Sequence, residues 1–223
     1  MREVAMKPAD RYEAERQQNK ENRKESILEA AKVLFKEKGI DNTTMQDIAT
    51  EANLGVATVF RLFSKKEKIV VVVATQGLNK ILSVFQKAAA LEVTALKKME
   101  VLMDHFVGEL KNKEGEYIGL LEDFDMYSSR FKEPIEDTEQ FKAVYKEVSS
   151  TFASIIEEGK KDGSIRKDID VDASLITLIN AFATFAKKLT VQKSVFFIEL
   201  DIEPEIQLEV LRKIIIEYLT VQK

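Results

Sequence analysis

Few side chains in this sequence could carry chemistry, and their spacing excludes most of what they could do. There is one histidine, His105, and no cysteine, which removes disulfides, thiolate zinc sites and cysteine nucleophiles together. Leu102 stands three residues before His105, so the Glu-x-x-His pair of a carboxylate-bridged iron helix is missing. Neither a glycine-rich phosphate loop nor a nucleophile elbow occurs. No catalytic residue, metal ligand or cofactor is assigned, and the chain is read as a binding protein and not an enzyme. A pure adaptor is the rival reading, but it would not need Thr44, Arg61 and Lys66 on one exposed face.

The net charge of −4 is unevenly spread. Residues 1–68 hold 14 Lys and Arg against 12 Asp and Glu, whereas residues 69–223 hold 20 against 26. Such an asymmetry fits a small cationic module on an acidic body. With 223 residues, 45% of them hydrophobic, there is material for one large domain or two small ones. No stretch approaches the roughly 18 uncharged apolar residues of a membrane span, and the N-terminus has no apolar run of signal-peptide type. The expected location is cytoplasmic, with no membrane partner.

Three prolines, eight glycines and apolar spacings of three and four predict an all-α protein. Residues 1–22 are charged and of mixed sign, and read as a frayed helix or a disordered arm. From Arg23, a stripe of Ile27, Ala31, Leu34 and Phe35 predicts helix one, ended by Lys36, Lys38 and Gly39. Thr43 followed by Gln46 reads as a capping box, with helix two starting at Thr44 and burying Met45, Ile48 and Ala49. Ala52-Asn53-Leu54-Gly55 makes a tight turn in which Asn53 and Gly55 both tolerate unusual backbone angles. A third short helix buries Val56, Val59, Phe60 and Phe63. In residues 65–87 the run IVVVVAT alone reads as a strand, but Leu78, Ile81, Leu82 and Phe85 resume helical spacing, so one long helix is expected. A further helix follows over Ala95–Leu110, then one or two shorter ones from Glu114 to Phe131. A break at Pro134 precedes a helix from about Thr138 to Lys161, and Gly163 ends that helix. The last two helices are expected over 171–189 and about 204–221, and residues 192–203 are left unassigned.

Two short helices joined by a tight turn and braced by a third make a helix-turn-helix, whose second short helix enters the major groove of DNA; any three-helix bundle, however, contains such turns. The particular residues go further. TTMQDIATEANLGVATVFRLFSKKEKI resembles the N-terminal region of TetR-family (TetR/AcrR-like) transcriptional regulators. The matching residues are Thr43, Thr44, Ile48, Ala49, Ala52, Leu54, Thr58, Val59, Phe60, Phe63, Lys66 and Glu67. The detailed resemblance covers about residues 24–70. It implies that Thr44 and the N-terminus of helix two face a phosphate, that Lys65 and Lys66 lie at the backbone, and that Gly55, Val56, Ala57, Thr58 and Arg61 face the groove. Arg61 can bond a guanine edge bidentately, while Val56, Ala57 or the Thr58 methyl can touch thymine methyls. A solvated or phosphate-bound Arg61 is the competing reading. The family's usual tyrosine is Phe60 here, read as a packing residue, and its usual turn glycine is Asn53.

The resemblance also implies a homodimer on a palindromic operator and a small-molecule effector in the C-terminal bundle, with repression as the expected sign. The competing reading is a TetR-like protein without such an effector, controlled by a protein partner or acting as an activator. The expected organisation is an arm (1–22), a three-helix DNA-binding domain (23–68), and a helical effector-binding and dimerisation domain (69–223) with a two-helix dimer face. Candidate effector contacts are Met99, Met103, His105, Phe106, Tyr117, Phe124, Met126, Tyr127, Phe152 and Asn180, most of which ordinary core packing would equally explain. Asn180, an amide in a nearly all-apolar helix, needs a partner from another helix, a second subunit or an effector. Glu122, Asp123 and Asp125 form an acidic cluster that could attract a cation, with a solvated helix face as the default. Helix 171–189 is apolar nearly all round and the last helix carries more apolar residues than one core-facing stripe needs. Leu175, Leu178, Ile179, Phe182, Leu211, Ile214, Ile215 and Tyr218 are therefore expected at the dimer interface.

Overall fold

The computed structural model describes residues 8–111, 116–133, 135–190 and 204–221. The unassigned sequence segment 192–203 and the expected break at Pro134 lie outside the described residues. The helices are α1 (Pro8–Lys38), α2 (Met45–Glu51), α3 (Val56–Leu62), α4 (Lys66–Ala89), α5 (Ala95–Lys111), α6 (Glu116–Ser128), α7 (Glu139–Asp162), α8 (Val171–Thr190) and α9 (Pro204–Leu219). Among the described residues the only β pairing is an isolated bridge between Ile165 and Thr220. The chain divides into two compact units, Met1–Val73 and Ala74–Lys223.

In the first unit, α1 begins at Pro8, a residue suited to a first helical turn, and not at Arg23. The charged segment from Pro8 to Asn22 is therefore its N-terminal half, exposed from Arg11 onward and carrying local pairs such as Gln17 to Glu21 at 2.8 Å. The stripe of Ile27, Ala31, Leu34 and Phe35 is buried, and Gly39 closes the helix with a φ of 82°. The α2 cap lies one residue later than the sequence spacing predicts. Thr44, not Thr43, is the N-cap, and its partner is Asp47, not Gln46. Thr43 is buried instead, its hydroxyl donating to the Gly39 carbonyl at 2.8 Å. Met45 is half-buried, while Ile48 and Ala49 are in the core as expected. In the turn, Asn53 takes the left-handed conformation (φ 52°), but Gly55 has an ordinary φ of −67° and simply precedes α3.

The second unit is a bundle in which α5 packs on α7 and α9, α6 on α8, and α7 on α8. The start of α5 is capped from far away in sequence: Asp162 accepts the Ala95 N–H at 3.0 Å and Ser164 the Leu96 N–H at 3.1 Å. Beside this cap the buried Lys98 ammonium pairs with Glu158 at 2.7 Å. The valine run lies inside α4, with Ile69, Val70, Val71 and Val73 all buried; burial on nearly every side outweighs the loss of valine rotamer freedom. By length and composition α4 could cross a membrane, which corrects the expectation that no stretch comes near. In its most apolar window 56% is buried inside the protein, as in a core helix.

Candidate nucleic-acid interface and candidate effector cavity

The geometry of α3 follows from which of its seven residues are buried. Val59 is fully buried and Phe63, just past the last turn, nearly so. Together they pin the helix against the rest of the first unit, each worth roughly 1.5–3 kcal/mol of burial. The opposite side carries Ala57, Phe60 and Arg61, all exposed, with Thr58 and Val56 half-buried on the flanks. Gly55 has nothing within 4 Å of where a Cβ would stand, so its N-cap position is open. Phe60, expected as packing, is 49% exposed. Its position, one residue after Val59, places it about 100° around the helix from the buried line, which the spacing could have shown.

The residues behind α3 are braces. The Thr44 hydroxyl donates to Asp47 Oδ2 at 2.7 Å and accepts the Asp47 N–H at 3.1 Å, and the Thr44 N–H donates to the same carboxylate at 2.8 Å. Lys38 Nζ lies 2.7 Å from that Oδ2. The Lys38 ammonium, then Thr44, hold the Asp47 carboxyl well below the usual carboxylate range. A carboxylate thus stands beside the α2 N-terminus, for which the resemblance implies a phosphate contact. Lys66 is likewise engaged: its ammonium donates to the carbonyls of Ile40 (2.8 Å), Thr43 (2.9 Å) and Asp41 (3.3 Å). Burial draws its pKa down from the ordinary lysine value, and the charges of Glu67 and Asp41 oppose that shift. With three carbonyl acceptors around its three N–H bonds, Lys66 ties the start of α4 to the segment between α1 and α2. Lys65 is half-buried beside it.

The second unit encloses a cavity of about 360 Å³, within the range of small-molecule sites. Of the candidate effector contacts, Met99, Met103, Phe106, Phe124, Phe152 and Asn180 line it. His105, Tyr117, Met126 and Tyr127 do not. His105 sits beside Glu109 at 3.9 Å, and among the described residues no hydrogen-bond partner reaches its Nε2. The Tyr117 hydroxyl is directed to Glu109, and burial, with Glu109 beside it, pushes its pKa upward. Met126 is exposed and Tyr127 packs edge-on against Phe131 at 5.1 Å. The walls that the sequence did not assign include Phe85, Phe141 and Tyr145, together with Glu122 and Asp125 from the acidic cluster. Asp123 is not among the lining residues.

Four expected dimer residues also belong to this cavity: Leu175, Leu178, Ile179 and Phe182. Leu175, Phe182 and Ile215 are buried in the bundle core, with Leu178 and Leu211 packed against it. Of the eight, only Ile179, Ile214 and Tyr218 are exposed, and Tyr218 also takes the Arg166 guanidinium over its ring at 5.6 Å. The exposed apolar stripe that the sequence analysis missed in part runs through Ile206, Val210, Ile214 and Tyr218 on α9, with Ile176 and Ile179 on α8. The four-residue spacing on α9 was the available signal.

Among the described residues, two short helices joined by a tight turn precede a helical bundle. Residues 27–73 match the bacterial regulatory proteins of the tetR family, and the relatives that the chain resembles over a longer stretch are transcriptional repressors. The chain is 26% identical over 154 residues to the transcriptional repressor KstR2 of Mycolicibacterium smegmatis, covering 68% of this chain and 71% of that protein. A second relative, the HTH-type regulator YfiR of Bacillus subtilis, is 36% identical over 72 residues, 32% of this chain and 35% of that one. In fold the chain is similar to the solved KstR2 of Mycobacterium tuberculosis, a ketosteroid transcriptional regulator, at a TM-score of 0.61 and 15% identity over 90% of this chain and 96% of that one.

Proposed function

We propose that the chain is a repressor that binds a palindromic operator as a homodimer and is released when a small molecule fills the cavity of the second unit. The observation that carries the DNA reading is the two-sided character of α3: Val59 is buried, while Ala57, Phe60 and Arg61 are presented outward behind an open Gly55. Small residues let the backbone come close to a groove, Arg61 can fork onto a guanine edge, and Phe60, Val56 and the Thr58 methyl offer apolar contact to thymine methyls. Lys65 supplies charge for phosphate, whereas Thr44 and Lys66 hold the helices that carry the contacts. The exposed apolar stripe of α8 and α9 fits a self-complementary dimer face. A ligand in the cavity shifts the population between DNA-competent and DNA-incompetent states through its differential affinity for them.

Selection from random DNA with the purified full chain tests this. The expected product is an inverted repeat whose affinity falls steeply with salt. Arg61→Ala relaxes base preference at one symmetric position, at about 1–3 kcal/mol. Enrichment of no inverted repeat would overturn the reading.

A further inference from the structure

The cavity is built from more than generic core. Phenylalanine rings run along its wall in contact with one another: Phe85 with Phe106 at 6.1 Å between centroids, Phe106 with Phe182 at 5.9 Å and Phe85 with Phe152 at 6.3 Å. A separate pair, Phe124 and Phe141 at 4.9 Å, closes another side. In tilted and edge-on pairs a ring covers at most one face of its neighbour, and an uncovered π face attracts cations.

The charged groups agree in sign. Glu122 and Asp125, three residues apart on α6, both border the cavity, Glu122 half-buried and Asp125 exposed. Among the described residues the cavity lining contains no Lys, Arg or His, and neither of these carboxylates has an ion-pair partner. An anionic ligand entering here would leave water to meet two like charges and no compensating base, which is unfavourable on both counts. An uncharged ligand would gain only apolar burial. A lipophilic cation gains that burial, the ring faces and the carboxylates together.

We propose that the cavity takes a lipophilic organic cation, its apolar body among the phenylalanine rings and its charge against Glu122 and Asp125. This rests on the effector reading above and narrows it to one ligand class.

Three probes of equal body and different charge test it on the full chain by titration calorimetry: phenylbutyl-trimethylammonium, phenylbutane-sulfonate and neutral phenylbutanol. The ammonium is expected to bind at least about 10-fold tighter than the sulfonate, a difference of about 1.4 kcal/mol, with the alcohol between them. The double variant Glu122→Gln, Asp125→Asn should lose about 10-fold for the ammonium and leave the alcohol unchanged, the alcohol and the helical circular dichroism together reporting an intact fold. Tight sulfonate binding, or a preference for the ammonium that survives in the double variant, would overturn the proposal. If the sulfonate or the alcohol were preferred and also weakened operator binding, the cation assignment would fail while an effector-controlled regulator stood. Binding of none of the three, with operator binding intact, would overturn both the ligand class and this cavity as the effector site.

Discussion

The two units fix their geometry by different means. In the first, polar side chains tie together backbone ends that lie close in space: Thr44, Asp47 and Lys38 cap α2, and Lys66 gathers three carbonyls from the turn after α1. In the second, apolar rings from α4, α5, α7 and α8 meet across long sequence distances around a void. Directional bonds hold a small unit to one shape, as a surface that must match a groove requires. Non-directional packing around a cavity permits the rearrangement that a ligand response requires.

The largest effect expected from this contrast is in the second unit. Phe152 is fully buried and lines the cavity, so Phe152→Ala should cost about 3–5 kcal/mol. Hydrogen exchange read by mass spectrometry should speed up in α5, α7 and α8 and leave α2 and α3 unchanged. Equal loosening of both units would break the comparison.

A middle-sized effect is expected at Lys66. Lys66→Met keeps the apolar stem and removes the donors to Ile40, Asp41 and Thr43, at about 1–3 kcal/mol. Exchange should rise in residues 40–43, and operator affinity should drop for all sequences with the salt slope unchanged. A slope lower by about one, with exchange in 40–43 unaltered, would instead make Lys66 a phosphate contact.

The smallest effect concerns acid. Because Lys38 and Thr44 depress the Asp47 pKa from 3.8 in the folded state, its contribution is complete above that unfolded value and fades as pH falls through the lower folded one. The α2 amides should therefore lose protection progressively below about pH 4, and Asp47→Asn should flatten that dependence. An unchanged acid profile in the variant would show that the cap is not held by this carboxylate.

Legibility in the sequence followed the same division. The helix-turn-helix could be read because its signals are local: Gly39 and Asn53 at left-handed positions, a threonine cap before helix two, Val59 and Phe63 four apart. Even there, with two threonines in a row, the sequence spacing put the cap at Thr43 and Gln46, one residue early; the Asp47 carboxylate, reaching Lys38 as well as Thr44, fixes it at Thr44. In the bundle, periodicity marked α8 and α9 as over-apolar but could not sort their residues. Leu175 and Phe182 went to the cavity wall, Ile215 to the core and Ile214 to the surface, where it is 58% exposed.

By itself the sequence determined the all-helical class, the helix-turn-helix with its family resemblance, and the burial of Ile48, Ala49, Val59 and Phe63 at the short helices, because all of these depend on residues within a few turns of one another. The tertiary structure decided which way Phe60 faces, what Lys66 holds, and which side chains of α6 and α8 share a void with those of α4, α5 and α7. A stripe of apolar residues gives only an angle around a helix axis; what stands at that angle, core, cavity or solvent, is set by the helix that packs there.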